Sequence, residues 1–173
     1  MIATLQKKNL IIVKKHLGEQ VSCLYQKDVH LWLLKGELDS VDYEKITLKP
    51  ESEGKTHAVV PFIQNHEQCI YHIYNRYNID IYNARQTPTM GKLFRIRQLQ
   101  DEIISLMKQY VGKELYFVYK HQDKINMILG KFQNLAINGV SALPAPFYNR
   151  EVILGYYSVI HIYTKDFCDL IDF

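Results

Sequence analysis

Apolar and polar residues change their spacing along this chain twice, each time in the same order. Residues 2 to 17 set Ile2, Leu5, Leu10, Val13 and Leu17 among lysines, a stripe that predicts a helix, and Gly18 is placed to end it. From Val21 the period drops to two. Val21, Cys23 and Tyr25, then Val29, Leu31 and Leu33, predict strands joined by a tight turn near Lys27-Asp28. Gly36 falls inside the second strand, where a missing side chain marks a sharp bend or bulge. Alternation resumes at 46–49, and "PESEGKT" at 50–56 reads as a polar loop. A strand at 58–62 is confined by Pro61 to an edge or an end. Residues 68–83, rich in Tyr and Ile, read as another strand, although Ile70, Ile73 and Tyr77 also satisfy helical spacing.

The order then repeats. Residues 92–111 carry Leu93, Ile96, Leu99, Ile103, Met107 and Val111 on one helical stripe, ended by Gly112. Strands are expected at 115–120, 124–137, 139–143 and 151–164, with a stiff "PAPFYN" loop at 144–149. Gly18 and Gly112, Tyr25 and Tyr119, and Gly36 and Gly130 are each 94 positions apart. Matching "NIDIYN" of the first half to "VIHIYT" at 159–164 gives a spacing of 81, a loss of 13 residues between copies. These spacings predict a tandem duplication: a first repeat over 1–83, a polar linker at 84–91, and a second repeat over 92–173. The expected fold class is α+β, each repeat an N-terminal helix followed by a small, strongly bent, five-stranded antiparallel barrel of SH3/Sm-like plan.

"GELDSVDYEKITLK", Gly36 to Lys49, resembles the first motif of the Sm-like family, the Hfq and LSm RNA-binding proteins. Leu38 and Asp42 take the places of its aliphatic residue and its Asp, and Ile46 is similar to the Hfq form of the pattern. The second repeat keeps Gly130 and Phe132, with Ala136 in place of the Asp. Asn75-Arg76 and Leu154-Gly155 stand in the neighbourhood of the family's second motif. The helix-plus-barrel plan is also similar to the YolD-like proteins of Firmicutes and their phages. These resemblances imply the barrel, edge-to-edge assembly and RNA as a partner, with Asp42 in the recognition half.

Composition narrows the classes. At 47% hydrophobic and 23% charged, the chain has an ordinary folding composition. Three cysteines, Cys23, Cys69 and Cys168, form no close pair, which argues against a disulfide framework and for a cytoplasmic address. The apolar run Leu10 to Val13 is flanked by lysines and too short for a secretory or membrane segment. Net charge is +3, split as +1 over the first ninety residues and +2 over the rest. A large nucleic-acid footprint is disfavoured, while a local basic patch is not.

Catalytic chemistry has little to stand on. His66, Cys69 and His72 recur every three residues, but zinc needs four convergent ligands and a strand sends Cys69 and His72 to opposite faces. Asp39, Asp42 and Glu44 read as a polar turn rather than an acid/base pair. No phosphate loop or nucleophile motif occurs. The expectation is a non-enzyme with no metal and no cofactor.

Surfaces remain. Lys7, Lys8, Lys14 and Lys15 on the first helix, with Arg95 and Arg97 on the second, form basic faces able to touch phosphates, or simply solvated faces. Tyr74, Arg76, Tyr77, Tyr156 and Tyr157 crowd the terminal strands. Such tyrosines stack on unpaired bases, fill a protein interface, or serve as strand formers. The segment Lys165 to Phe173 either docks on a partner or packs on its own domain. The leading expectation is a non-catalytic module binding RNA or another single-stranded nucleic acid. The alternative is a protein-interaction or regulatory module, phage- or mobile-element-encoded, that engages a host complex through barrel edges. Either is expected as a homo-oligomer or an intramolecular pseudo-dimer, away from membranes.

Overall fold

Alternation at period two dominates the folded chain. The computed structural model describes residues 10–42, 44–50, 57–61, 63–65, 68–82 and 101–171, in two units, Met1–Thr87 and Pro88–Phe173. The linker expected at 84–91 lies outside the described residues.

In the first unit a short helix α1, described over 10–14, leads into β1 (Gln20–Lys27), β2 (His30–Val41), β3 (Lys45–Pro50), β4 (Ala58–Pro61), β5 (Ile63–Asn65) and β6 (Gln68–Tyr74). They form one sheet in the order β4-β3-β2-β1-β6-β5. The second unit has α2 (Asp101–Lys108), then β7 (Glu114–His121), β8 (Lys124–Leu135), β9 (Gly139–Pro144), β10 (Val152–Gly155) and β11 (Val159–Tyr163), ordered β10-β9-β8-β7-β11. All pairings are antiparallel. Apart from the three-residue β5, the two sheets share one plan.

The α+β expectation is overturned. The protein is 57% strand and 8% helix, and each unit is an open sheet rather than a closed barrel. The physical reason lies in what the stripes measured. Apolar spacing reports a period, not a length: after residue 14 and after Lys108 the chain turns. Leu17 and Val111, counted in the stripes, are exposed. Immediately beyond, Gly18 N–H donates to Leu38 O at 2.8 Å and Leu38 N–H returns to Glu19 O at 2.9 Å. Gly112, Phe132 and Lys113 repeat that clasp at 2.7 and 3.0 Å. Positive φ at Gly18 (83°) and Gly112 (80°) lets the backbone reverse onto β2 and β8. The helical expectations for 2–9 and 92–100 lie outside the described residues.

Bends fall where glycine was noticed. A Cβ on Gly36 would lie 2.4 Å from Lys49 O, and one on Gly130 would lie 2.8 Å from Leu143 O, so only glycine lets β2 and β8 approach their neighbours this closely. Register shifts follow, between Leu38 and Ser40 and between Phe132 and Asn134. Both sheets curl over a core on one face: Val13, Cys23, Leu38, Ile46, Leu48 and Ile73 in the first unit, and Met107, Phe117, Phe132, Val140, Ala142 and Ile171 in the second.

Three strand assignments move. The β1–β2 turn is Asp28-Val29, since Lys27 pairs with His30; Asp28 takes φ 57° and Val29 is exposed rather than inside a strand. Residues 151–164 split into β10 and β11 around a turn closed by Ser158 N–H to Gly155 O at 2.8 Å. β6 ends at Tyr74, and "NIDIYN" folds back on it instead of continuing the sheet.

This last correction resets the repeat. "HIYNRYNID" at 72–80 and "HIYTKDFCD" at 161–169 adopt one loop, 89 positions apart. Asn75 N–H to Ile79 O and Thr164 N–H to Cys168 O close it at 3.0 and 2.9 Å, while Ile81 N–H to Ile73 O and Leu170 N–H to Ile162 O are both 2.8 Å. A change of spacing from 94 to 89 means the copies differ by 5 residues here, not 13.

Candidate binding surfaces

Each unit carries a fixed polar group where the chain leaves its last long strand. His72 Nδ1 lies 2.6 Å from Asp80 Oδ2, and His161 Nδ1 lies 2.6 Å from Asp169 Oδ2. The second oxygen of Asp80 accepts from Ile73 N–H (3.4 Å) and Tyr82 N–H (3.1 Å). Asp169 does the same for Ile162 (3.3 Å) and Ile171 (3.2 Å). A buried carboxylate with a side-chain partner and two backbone donors is satisfied. The dyads therefore serve to fasten the loop that follows.

That loop presents different side chains in the two copies. In the first it exposes Tyr77, with the Arg76 guanidinium 4.8 Å over its ring centroid. Asn75 Oδ1 holds the tip by accepting from Tyr77 and Ile79 N–H at 2.9 and 3.0 Å. In the second, Lys165 turns back to pair with Glu114 at 3.7 Å and lies over Tyr116 at 5.2 Å. Leu170 and Ile171 are buried in the core of their own unit, which accounts for the apolar character of the C-terminal segment.

The sequence-derived candidates separate accordingly. Arg76 and Tyr77 are brought together on the surface, and Tyr157 is exposed in the β10–β11 turn. Tyr74 and Tyr156 are buried, and the Tyr156 hydroxyl donates to Ala136 O. Lys14 and Lys15 are exposed. Asp42 is exposed beside the β2–β3 turn, where its Oδ1 accepts from Glu44 and Lys45 N–H at 2.8 and 2.9 Å. Those backbone bonds, then the Lys45 and Lys14 charges, hold its carboxyl below the usual range. Asp42 is thus a turn former with Lys14 in electrostatic reach. Lys7, Lys8, Arg95 and Arg97 lie outside the described residues.

Of the metal-like trio, His66 is likewise undescribed. Cys69 Sγ is 3.8 Å from Gln26 Oε1, which also accepts from the Tyr71 hydroxyl at 2.9 Å, while His72 is held by Asp80. Among the described residues no cluster of three His, Cys, Asp or Glu side chains could hold a metal ion. No helix among them is long and apolar enough to cross a membrane.

Two features escaped the sequence reading. One is the pair of dyads, announced by the doubled His-Ile-Tyr with Asp eight positions on. The other is Trp32, the chain's one tryptophan, which is half-exposed on β2. No family model matches the chain, and no curated protein or solved structure matches it either.

Proposed function

We propose that this protein is a non-catalytic module that binds single-stranded nucleic acid, RNA foremost, with the first unit as its recognition half. The pair Arg76 and Tyr77 carries the reading. Tyr77 is 66% exposed on a tip fixed by Asn75 and Asp80, so its ring is presented without loss of further freedom. A base stacked on such a ring contributes about 1–3 kcal/mol, and a neighbouring guanidinium suits phosphate. Exposed Lys14 and Lys15 add cations, and the likeness of Gly36, Leu38 and Asp42 to the first Sm motif points the same way. The odd, unpaired set of cysteines supports a reducing, cytoplasmic setting.

With a net charge of +3, few phosphates can be neutralised. For about three contacts to a single strand, affinity should fall roughly 20-fold between 50 and 200 mM salt. Anisotropy of labelled oligouridine and oligoadenosine at those two salts tests this, with R76A and Y77A weakening binding. Absence of binding at 50 mM salt rejects the reading.

A protein partner is favoured by a different observation. β4 and β10 are the outermost strands of their sheets, and Val59 and Ile153, 94 positions apart, are exposed on them. Such edges accept an added strand from another chain or another copy. Sizing of the purified chain, expected to show a homo-oligomer in this case, separates the two readings when it is run beside the oligomer titration.

A further inference from the structure

We infer that Trp32 is a stacking platform for an unpaired base, and that the β1–β2 hairpin of the first unit is a nucleic-acid contact in its own right; this rests on the nucleic-acid reading above. The indole is 50% exposed. It stands opposite Tyr25 on β1, whose ring packs against the core, so the strand beneath the indole is anchored while the indole itself projects into solvent. His30, two residues earlier on the same face, lies 6.1 Å away at 74°. This near-perpendicular contact positions the indole without stacking on it. On the side away from β1, pairing of β2 with β3 begins at Gly36, so no strand among the described residues borders 30–35 there.

Charge decides the occupant. Lys27, the cross-strand partner of His30, is exposed and has no ion-pair partner among the described residues. It stands beside the indole as a free cation, with Asp28 at the turn as the local acid. The second unit supplies an internal comparison on the same backbone. There the hairpin carries Asn126 at the position of Trp32, with its Nδ2 donating to Lys124 O at 3.1 Å. Lys120 is paired with Asp123 at 3.7 Å. One tip is aromatic and cationic, while the other is polar and internally neutralised. An exposed ring next to an unneutralised ammonium fits a base and its phosphate.

Because the chain has one tryptophan, its emission reports this site directly. Titrating the full chain with single-stranded decamers of adenosine and uridine, as RNA and as DNA, should give saturable quenching that weakens with salt. W32A should lower affinity about tenfold or more, with W32F retaining most of it, and K27A should reduce the salt dependence. Far-ultraviolet circular dichroism confirms that the variants remain folded. If labelled oligomers bind by anisotropy while Trp32 emission is unchanged and W32A binds as tightly as the parent, the inference is wrong and the broader reading survives. If nothing binds at low salt, both fall.

Discussion

His161 and Asp169 face each other at 2.6 Å inside the second unit, with side chains 3% and 9% exposed; His72 and Asp80 repeat the contact in the first. Each dyad joins the end of a long strand to the segment folding back along it. Breaking such a buried pair strands a charge and frees two backbone N–H groups, a loss of about 3–5 kcal/mol. D169A and D80A should each destabilise by about that amount in urea unfolding, and D169N, which keeps an acceptor, by less. A change below about 1 kcal/mol for D169A would show that the loop is held by its backbone bonds alone.

The bend glycines act through backbone, where neighbours cannot yield. G36A places a methyl 2.4 Å from Lys49 O, and G139A places one 2.2 Å from Leu154 O. Each should cost about 2 kcal/mol or more. G18A and G112A meet nothing within 4 Å and bear only the left-handed backbone strain of about 1 kcal/mol. The expected order in urea midpoints is therefore G139A and G36A lowest, then G130A, then the two turn glycines.

How much of this was readable depends on which constraint the backbone imposes. Gly18, Gly36 and their partners 94 positions on were visible because a turn or a close approach tolerates no substitute. The hairpins followed from period two. The α+β class failed because a stripe of apolar residues does not state where a helix stops, and the clasp between Gly18 and Leu38 is a long-range bond. The C-terminal register failed for a related reason. "NIDIYN" and "VIHIYT" look alike as strings, yet Asp80 is equivalent to Asp169 and not to His161; a buried carboxylate leaves no periodic trace. The surface was least legible: Tyr74 and Tyr77 are alike in sequence, and only the turn at Asn75 puts one in the core and the other in solvent.

Alkaline pH should unfold the protein. Burial pushes the Cys23 thiol far up, reinforced by the Asp80 charge, and burial also raises Tyr25, Tyr82 and Tyr156. A group that keeps its proton when folded and loses it when unfolded favours the unfolded chain once pH exceeds the unfolded value. Stability is therefore unaffected by these groups below about pH 8.5 and falls as pH rises through about 9–10, by up to about 1.4 kcal/mol per pH unit for Cys23 alone. Urea midpoints at pH 8 and 10 should differ, and C23A should lessen the difference. Equal midpoints would mean these groups ionise freely in the folded state.

Thiol accessibility ranks the three cysteines and reports how each unit opens. Cys168 is exposed on the loop fastened by the His161–Asp169 dyad. Cys69 is partly buried beside Gln26, and Cys23 is fully buried in the first core. An aromatic disulfide reagent should modify one thiol per chain rapidly, a second slowly, and the third only when the first unit unfolds. C168A should remove the fast phase. The rate at Cys23 should rise with urea as global unfolding does, because no local opening exposes a thiol in the centre of β1, paired on both sides. D80A should therefore accelerate Cys23 modification while D169A leaves it unchanged, if the two dyads fasten their units separately. Equal acceleration by both variants would show that the units unfold as one.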